Sequence, residues 1–180
     1  MKMLITGAAG GIGSLVTEFL GEKYDLVLVD NFRNGFKENS PGYVIHEFDV
    51  CNNDFINFDC EQKPDVILHL AAITSLPDCE VNKTECIKIN VGGTVNVIEA
   101  ARHAGVNKII FASTSAVYEN NSSEEAPFTE SLNVSPYLFY SLSKKMAEEV
   151  CQSYIENYGM NIITLRFFNI LGPNQDTERK

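Results

Sequence analysis

The chain has 180 residues, 44% of them hydrophobic, enough for the core of one domain and too few for two of ordinary size. Lys and Arg number 14 against 24 Asp and Glu, a formal charge of -10, so the summed field repels polyanions and excludes nucleic acid as an expected partner. No basic leader followed by an apolar core opens the chain, and no run of about 18 apolar residues occurs. The reading is therefore a cytoplasmic protein with no membrane partner.

In chain order, KMLIT at 2–6 reads as a strand that passes through TGAAGGIG into a helix over 11–21. DLVLVD at 25–30, YVIHEFDV at 43–50 and DVILHLAA at 65–72 read as three more strands. A helix is predicted over 83–104, a strand KIIFAS at 108–113, a polar surface loop at 119–136, a helix over 136–158 and a last strand NIITLRFF at 161–168. The apolar runs are continuous rather than alternating, as in parallel strands buried on both faces. Strands alternating with helices define βαβ units, so the expected class is an α/β doubly wound parallel sheet, Rossmann-like, of strand order 3-2-1-4-5-6. Ser135 followed by Pro136 has the form of a helix N-cap, and Gly159 that of a left-handed C-terminal cap. The five cysteines show no paired short spacing, so neither a metal site nor a disulfide framework is expected.

The glycines after the first strand have two readings, a simple turn or a phosphate cradle. Their placement between a strand and a helix favours the second. Gly7 is placed for the tight turn, Gly10 for close approach of the backbone to a pyrophosphate, and Gly13 for seating the helix against the sheet. The anion would rest on the helix's positive end. The second strand ends in Asp30, whose carboxylate would bind a ribose 2′-hydroxyl and repel a 2′-phosphate, favouring NAD; Arg33 nearby leaves NADP open.

Tyr140 and Lys144 are four apart in a predicted helix and share a face. An ammonium beside a phenol lowers the phenol's pKa toward working pH, which suits proton abstraction from a hydroxyl. With seven tyrosines present the spacing alone proves little, and a half-buried tyrosine beside a solvated lysine is the plain alternative. Tyr137 does not fit, since Ser141 stands four residues on. Thr114 follows a strand at the edge where open α/β sheets bind ligands.

The Gly-x-x-Gly-x-x-Gly spacing of TGAAGGIG, with VDNFRNG, FDV at 48–50, PDVILHLAA at 64–72, NVGGTVNVIEAARHAGVNKIIFASTSAVY at 90–118, the Tyr140–Lys144 pair and LRFFNILGPNQ at 165–175, resembles the extended short-chain dehydrogenase/reductases. The branch it resembles is that of the NAD-dependent sugar-nucleotide epimerases and dehydratases. The resemblance implies NAD held by Gly7, Gly10, Gly11, Ile12 and Gly13, by Asp30 and Asn31, by Asp49 and Val50 at the adenine, and by Leu70, Ala71 and Ala72. Asn90, Tyr140, Lys144 and Phe167 would complete the cofactor site. It further implies Tyr140 as general base and acid, Lys144 as its modulator and a ribose ligand, Thr114 as the hydroxyl at the reacting oxygen, and Asn169 at the substrate's phosphate.

Dehydratases of this branch carry Asp-Glu directly after that threonine, whereas Ser115 and Ala116 stand here. The implied activity is therefore C4 epimerisation of a nucleotide sugar through a 4-keto intermediate. Reduction of a non-sugar carbonyl with NAD(P), or cofactor binding without catalysis, stay open. The resemblance also implies a homodimer through helices 83–104 and 136–158. Family members continue into a smaller C-terminal substrate domain, so residues 1–180 are read as the NAD-binding domain, either of a longer enzyme or of a short homologue.

Overall fold

The computed structural model describes residues 1–122 and 126–171. Positions 172–175 of the last motif lie outside the described residues. The strands are β1 (Lys2–Thr6), β2 (Asp25–Asp30), β3 (Ile45–Glu47), β4 (Val66–His69), β5 (Lys108–Thr114) and β6 (Asn161–Phe167). They form one parallel sheet in the order β3-β2-β1-β4-β5-β6, as the sequence predicts. The helices are α1 (Gly11–Leu20), α2 (Phe55–Gln62), α3 (Leu76–Val81), α4 (Lys83–Ile87), α5 (Gly93–Ala104) and α6 (Phe139–Tyr158).

Successive strand residues feed opposite faces. Leu4, Val27, Val29, Ile67, Ile109 and Phe111 pack on one side with Phe55, Val97, Ile98, Ala147 and Cys151 from α2, α5 and α6. Met3, Ile5, Leu28, Val66 and Leu68 pack on the other with Val16 and Leu20 of α1. Fully burying an aliphatic side chain of this kind, such as Leu4, Ile5 or Val29, contributes roughly 1.5–3 kcal/mol of transfer free energy.

Several expectations are corrected. Strand 43–50 is reduced to Ile45–Glu47, because β3 lies at the sheet edge with β2 as its neighbour and only three residues pair. Strand 161–168 is not buried on both faces: Ile163 and Leu165 are 43% and 37% exposed, since α6 covers one face of β6 and no described helix packs on the other. Helix 83–104 is interrupted by a π-helical turn at Lys88–Gly92, where Asn90 turns inward. Ser135 and Pro136 do not cap α6, which begins at Phe139 after an extended Leu138. Glu119 Oε1 caps it instead, accepting from the Leu138 N–H at 2.9 Å and from the Ser141 hydroxyl at 2.7 Å, while Glu80 Oε1 accepts from the Phe139 N–H at 2.7 Å. Gly159 does adopt the left-handed cap, with φ 65°.

Helix α2 has no counterpart among the predicted elements and carries an anomaly. Asp59 is fully buried, its two carboxylate oxygens have no hydrogen-bond partner, and burial pushes its pKa up to about 7. The charged residues of α5, which packs on α2, do not face it: Glu99, Arg102 and His103 bond one another beside Tyr154 and Tyr158 of α6.

Candidate active site

The residues singled out in the sequence gather along the carboxyl edge of the sheet, where order reverses between β1 and β4. Gly7 follows β1 with φ +72°, and a Cβ there would meet Ala71 N at 2.8 Å, so the turn after β1 and the segment after β4 are in contact. A Cβ on Gly13 would lie 2.2 Å from Gly7 O, which shows how closely α1 is seated on that turn. Gly10 precedes α1, leaving the amides of Gly11, Ile12 and Gly13 at a helix head where no intrahelical carbonyl accepts them.

Asp30 ends β2, 8% exposed, with Oδ2 accepting from the Ala9 N–H at 2.9 Å and Oδ1 from the Phe32 N–H at 2.8 Å. The carboxylate is thus tied to the glycine-rich turn while each oxygen keeps a lone pair for a ligand hydroxyl. Asn31 donates to Asp49 Oδ2 at 3.1 Å, and the Cys51 N–H to Asp49 Oδ1 at 2.8 Å. These bonds outweigh desolvation and hold the Asp49 carboxyl below its ordinary value. Val50 is buried in the core and its carbonyl accepts from Asn96, so its side chain belongs to packing.

Leu70, Ala71 and Ala72 leave β4 half-buried. A buried chain of hydrogen bonds, which no sequence pattern suggests, fixes them. Thr94 Oγ1 donates to the Asn90 carbonyl at 2.7 Å, His69 Nε2 lies 3.1 Å from Thr94 Oγ1, His69 Nδ1 2.7 Å from Thr6 Oγ1, and Ala71 N–H donates to Thr6 Oγ1 at 3.3 Å. Each group is satisfied if His69 donates through Nε2 and accepts at Nδ1. Burial, with a smaller contribution from Lys144, lowers the His69 pKa to about 3, so the ring is neutral. The Asn90 side chain is engaged as a clamp: Oδ1 accepts from the Ile73 N–H at 2.8 Å, and Nδ2 donates to Ile73 O at 3.0 Å and Ser143 Oγ at 2.9 Å.

Thr114 ends β5, and β6 places Phe167 directly opposite it. Tyr140 lies in the first turn of α6, with the Thr114 side chain near its hydroxyl. Lys144 is one turn on, buried, with Nζ 4.5 Å from the Phe111 ring centroid. Burial lowers the Lys144 pKa to about 8, so the ammonium still carries its charge at neutral pH. The expectation that Lys144 draws the phenol downward is not met. Burial dominates and raises the Tyr140 pKa, the nearby Thr114 side chain opposes it, and the thiols of Cys79 and Cys86 add to the rise. Asn169 lies beyond β6 and is exposed.

Behind these residues runs a second network that the sequence does not announce. Ser113 Oγ donates to Glu148 Oε1 at 2.5 Å, and Arg166 Nε and Nη2 reach the same carboxylate at 3.0 and 2.8 Å. Arg166 Nη1 donates to the Tyr118 hydroxyl at 2.7 Å. Glu148 is one turn beyond Lys144, so the network ties α6 to the ends of β5 and β6, where Thr114 and Phe167 stand. A cavity of about 600 Å³ opens beside it, lined by Phe128, Lys145, Gln152 and Phe167 among others.

A doubly wound sheet with a glycine-rich turn, an acidic residue ending β2, and a Thr–Tyr–Lys group at its carboxyl edge is the architecture of a dinucleotide-dependent enzyme class. The model of the NAD-dependent epimerase/dehydratase family matches residues 3–180, and the chain belongs to that family. NAD is accordingly the cofactor of the family to which the chain belongs. The chain is 32% identical over 178 residues to the UDP-glucose 4-epimerase of Streptomyces lividans, covering 97% of itself and 54% of that protein. It is 34% identical over 189 residues to the dTDP-D-glucose 4,6-dehydratase of Mus musculus, covering 99% and 53%. Among solved structures, the UDP-glucose 4-epimerase of Thermotoga maritima with UDP-glucose superposes with a TM-score of 0.93 at 29% identity, covering 98% of this chain and 58% of that one. The Thermus thermophilus UDP-glucose 4-epimerase complex with NAD gives 0.92 at 31%, with the same coverage. The chain spans about half the length of the curated relatives it matches.

Proposed function

We propose that the chain is the NAD-binding domain of an enzyme that epimerises a nucleotide sugar at C4. The observation that carries this is the composition of the reacting centre. Thr114, Tyr140 and Lys144 converge there, while the two residues after Thr114 are Ser115 and Ala116, which offer no carboxylate to remove water. Relatives of similar identity include both epimerases and dehydratases, so the choice between them rests on this site.

The cofactor residues fit the group. Gly7, Gly10, Gly11, Ile12 and Gly13 present main chain to the pyrophosphate, Asp30 accepts the ribose hydroxyls, and Asn31, Asp49 and the Val50 main chain face the adenosine end. Leu70, Ala71, Ala72 and Phe167 border the other end, with Asn90 holding the loop after Ala72 in place. Bound in this groove, NAD would supply the hydride acceptor for the sugar carbon and the donor that restores it from the opposite face. Tyr140 Oη takes the proton of the sugar 4-hydroxyl and gives it back after the 4-keto sugar has turned. Thr114 Oγ1 holds the reacting oxygen against that phenol, and Asn169 lies toward the substrate's phosphates. The Lys144 ammonium, charged below pH about 8 and one turn along α6 from that phenol, would bind the nicotinamide ribose.

The same reading includes a two-fold homodimer through α4, α5 and α6, whose outer faces expose Met146 and Tyr158. A single monomer mass at high concentration would remove that part. The activity is tested by incubating NAD and the protein with UDP-glucose and related nucleotide sugars, separating products by chromatography while recording absorbance of the reduced cofactor. Appearance of the C4 epimer with no net reduced cofactor is expected. A dehydrated product, or stoichiometric cofactor consumption with a simple carbonyl, would replace this reading.

A further inference from the structure

Arg33 stands three residues beyond Asp30, on the loop leaving β2 at the adenosine end of the groove. By position it is a candidate cation for a phosphate on the ribose 2′-oxygen, the group that distinguishes NADP from NAD. In the folded chain that guanidinium is already engaged. Nη1 and Nη2 donate to the two carboxylate oxygens of Glu85 at 2.6 and 2.9 Å, a parallel fork of the kind arginine otherwise offers a phosphate. Glu85 lies in α4, which follows β4, so the pair joins the segments after the two strands that flank β1 and its glycine-rich turn. The Arg33 main chain is fixed as well, its N–H donating to Asn31 Oδ1 at 3.1 Å. Asp78 and Asp49 add negative charge around the same guanidinium.

We propose that Glu85 is a specificity-determining residue for the cofactor. It holds the Arg33 guanidinium in a two-bond fork, withholding from a ribose 2′-phosphate the cation that would receive it and leaving Asp30 to select the 2′-hydroxyl of NAD. A 2′-phosphate has to displace one carboxylate from Arg33 and approach past its charge; a 2′-hydroxyl has neither task. The pair is half-exposed, with side chains 38% and 43% accessible, and such pairs add little to folding stability, so its removal leaves the fold intact.

The inference rests on the reading of this groove as the cofactor site, and the experiment separates the two. The protein, Glu85→Gln, and Arg33→Ala with Glu85→Gln are titrated with NADH and with NADPH by fluorescence. The parent is expected to bind NADH more tightly. Glu85→Gln leaves the NADH Kd within about twofold and tightens NADPH about tenfold, the scale of one additional charge-assisted hydrogen bond, and the double variant reverts to the parent's NADPH affinity. An NADH-to-NADPH ratio unchanged by Glu85→Gln, with NADH still bound, overturns the proposal alone. So does a tightening that survives removal of Arg33, which would make it a plain charge effect. Binding of neither cofactor by the parent overturns the groove reading together with it.

Discussion

At the β1–β3 end of the groove the fixed elements are mainly main chain: a glycine-rich turn, the amides heading α1, and Asp30 held by the N–H groups of Ala9 and Phe32. At the β5–β6 end the reacting side chains are held by side chains from other elements. Glu119 and Glu80 cap α6, Asn90 bonds Ser143, and Glu148 bridges Ser113 and Arg166. The first end is a backbone cradle that tolerates side-chain change wherever no Cβ intrudes. The second depends on a few buried polar contacts, each costly to lose because its partner would be left unpaired in a low-dielectric setting. Binding and chemistry are therefore separable by substitution at opposite ends.

The largest expected effect is at the reacting end: Tyr140→Phe should lower turnover of the nucleotide sugar about 10³-fold, the scale of a lost general acid–base group, with the NADH Kd changed less than about threefold. Equal loss of both in the same preparation would mean that Tyr140 serves the cradle. Next, Glu148→Ala strands Arg166 and Ser113 and should cost about 3 kcal/mol, a fall in Tm of roughly 6–12 °C by thermal unfolding. A negligible fall would show the network to be ornamental to the fold.

Asp59 gives a smaller, pH-dependent effect. Its folded pKa is raised to about 7 by burial, so the folded state binds the proton more tightly than the unfolded one. Its stabilising share is full below about pH 4 and lost as pH rises through 7. Asp59→Asn should therefore stabilise by about 2 kcal/mol relative to the parent at pH 8 and by little at pH 5, read from paired denaturation curves. A stabilisation independent of pH would contradict the buried carboxylate. The smallest change in binding is at the cradle: Asp30→Ala should weaken NADH about tenfold, on the scale of one charge-assisted hydrogen bond to a ribose hydroxyl, and should also lower the melting temperature because the buried Ala9 N–H loses its acceptor.

The same division governs what the sequence reveals. β1, β2 and their order are legible because a continuous apolar run followed by glycines codes a local βα turn, and Asp30 announces itself by position. Tyr140, Lys144 and Thr114 are legible as residue types at fixed spacing and strand ends. Their supports are not, because Glu119, Glu80, Glu148 and Arg166 read as ordinary charges until folding brings them together. Ser135–Pro136 misleads for that reason: a local cap pattern loses to carboxylates delivered by tertiary contacts. The π-helical turn at 88–92 is not legible because the glycines of KINVGG weaken a helix without specifying this turn, and the buried pairing of Asn90 with Ile73 holds it. The phenol of Tyr140 likewise takes its ionisation from burial, which no spacing records.

A single dinucleotide site built from both ends is best tested by an amide chemical-shift map of the isotope-labelled protein on addition of NAD. Shifts are expected at Gly10, Gly11, Ile12, Gly13, Asp30 and Ala71 together with Thr114, Tyr140 and Lys144, all saturating at one concentration. Shifts confined to the glycine-rich end, or two sets saturating independently, would contradict a shared site.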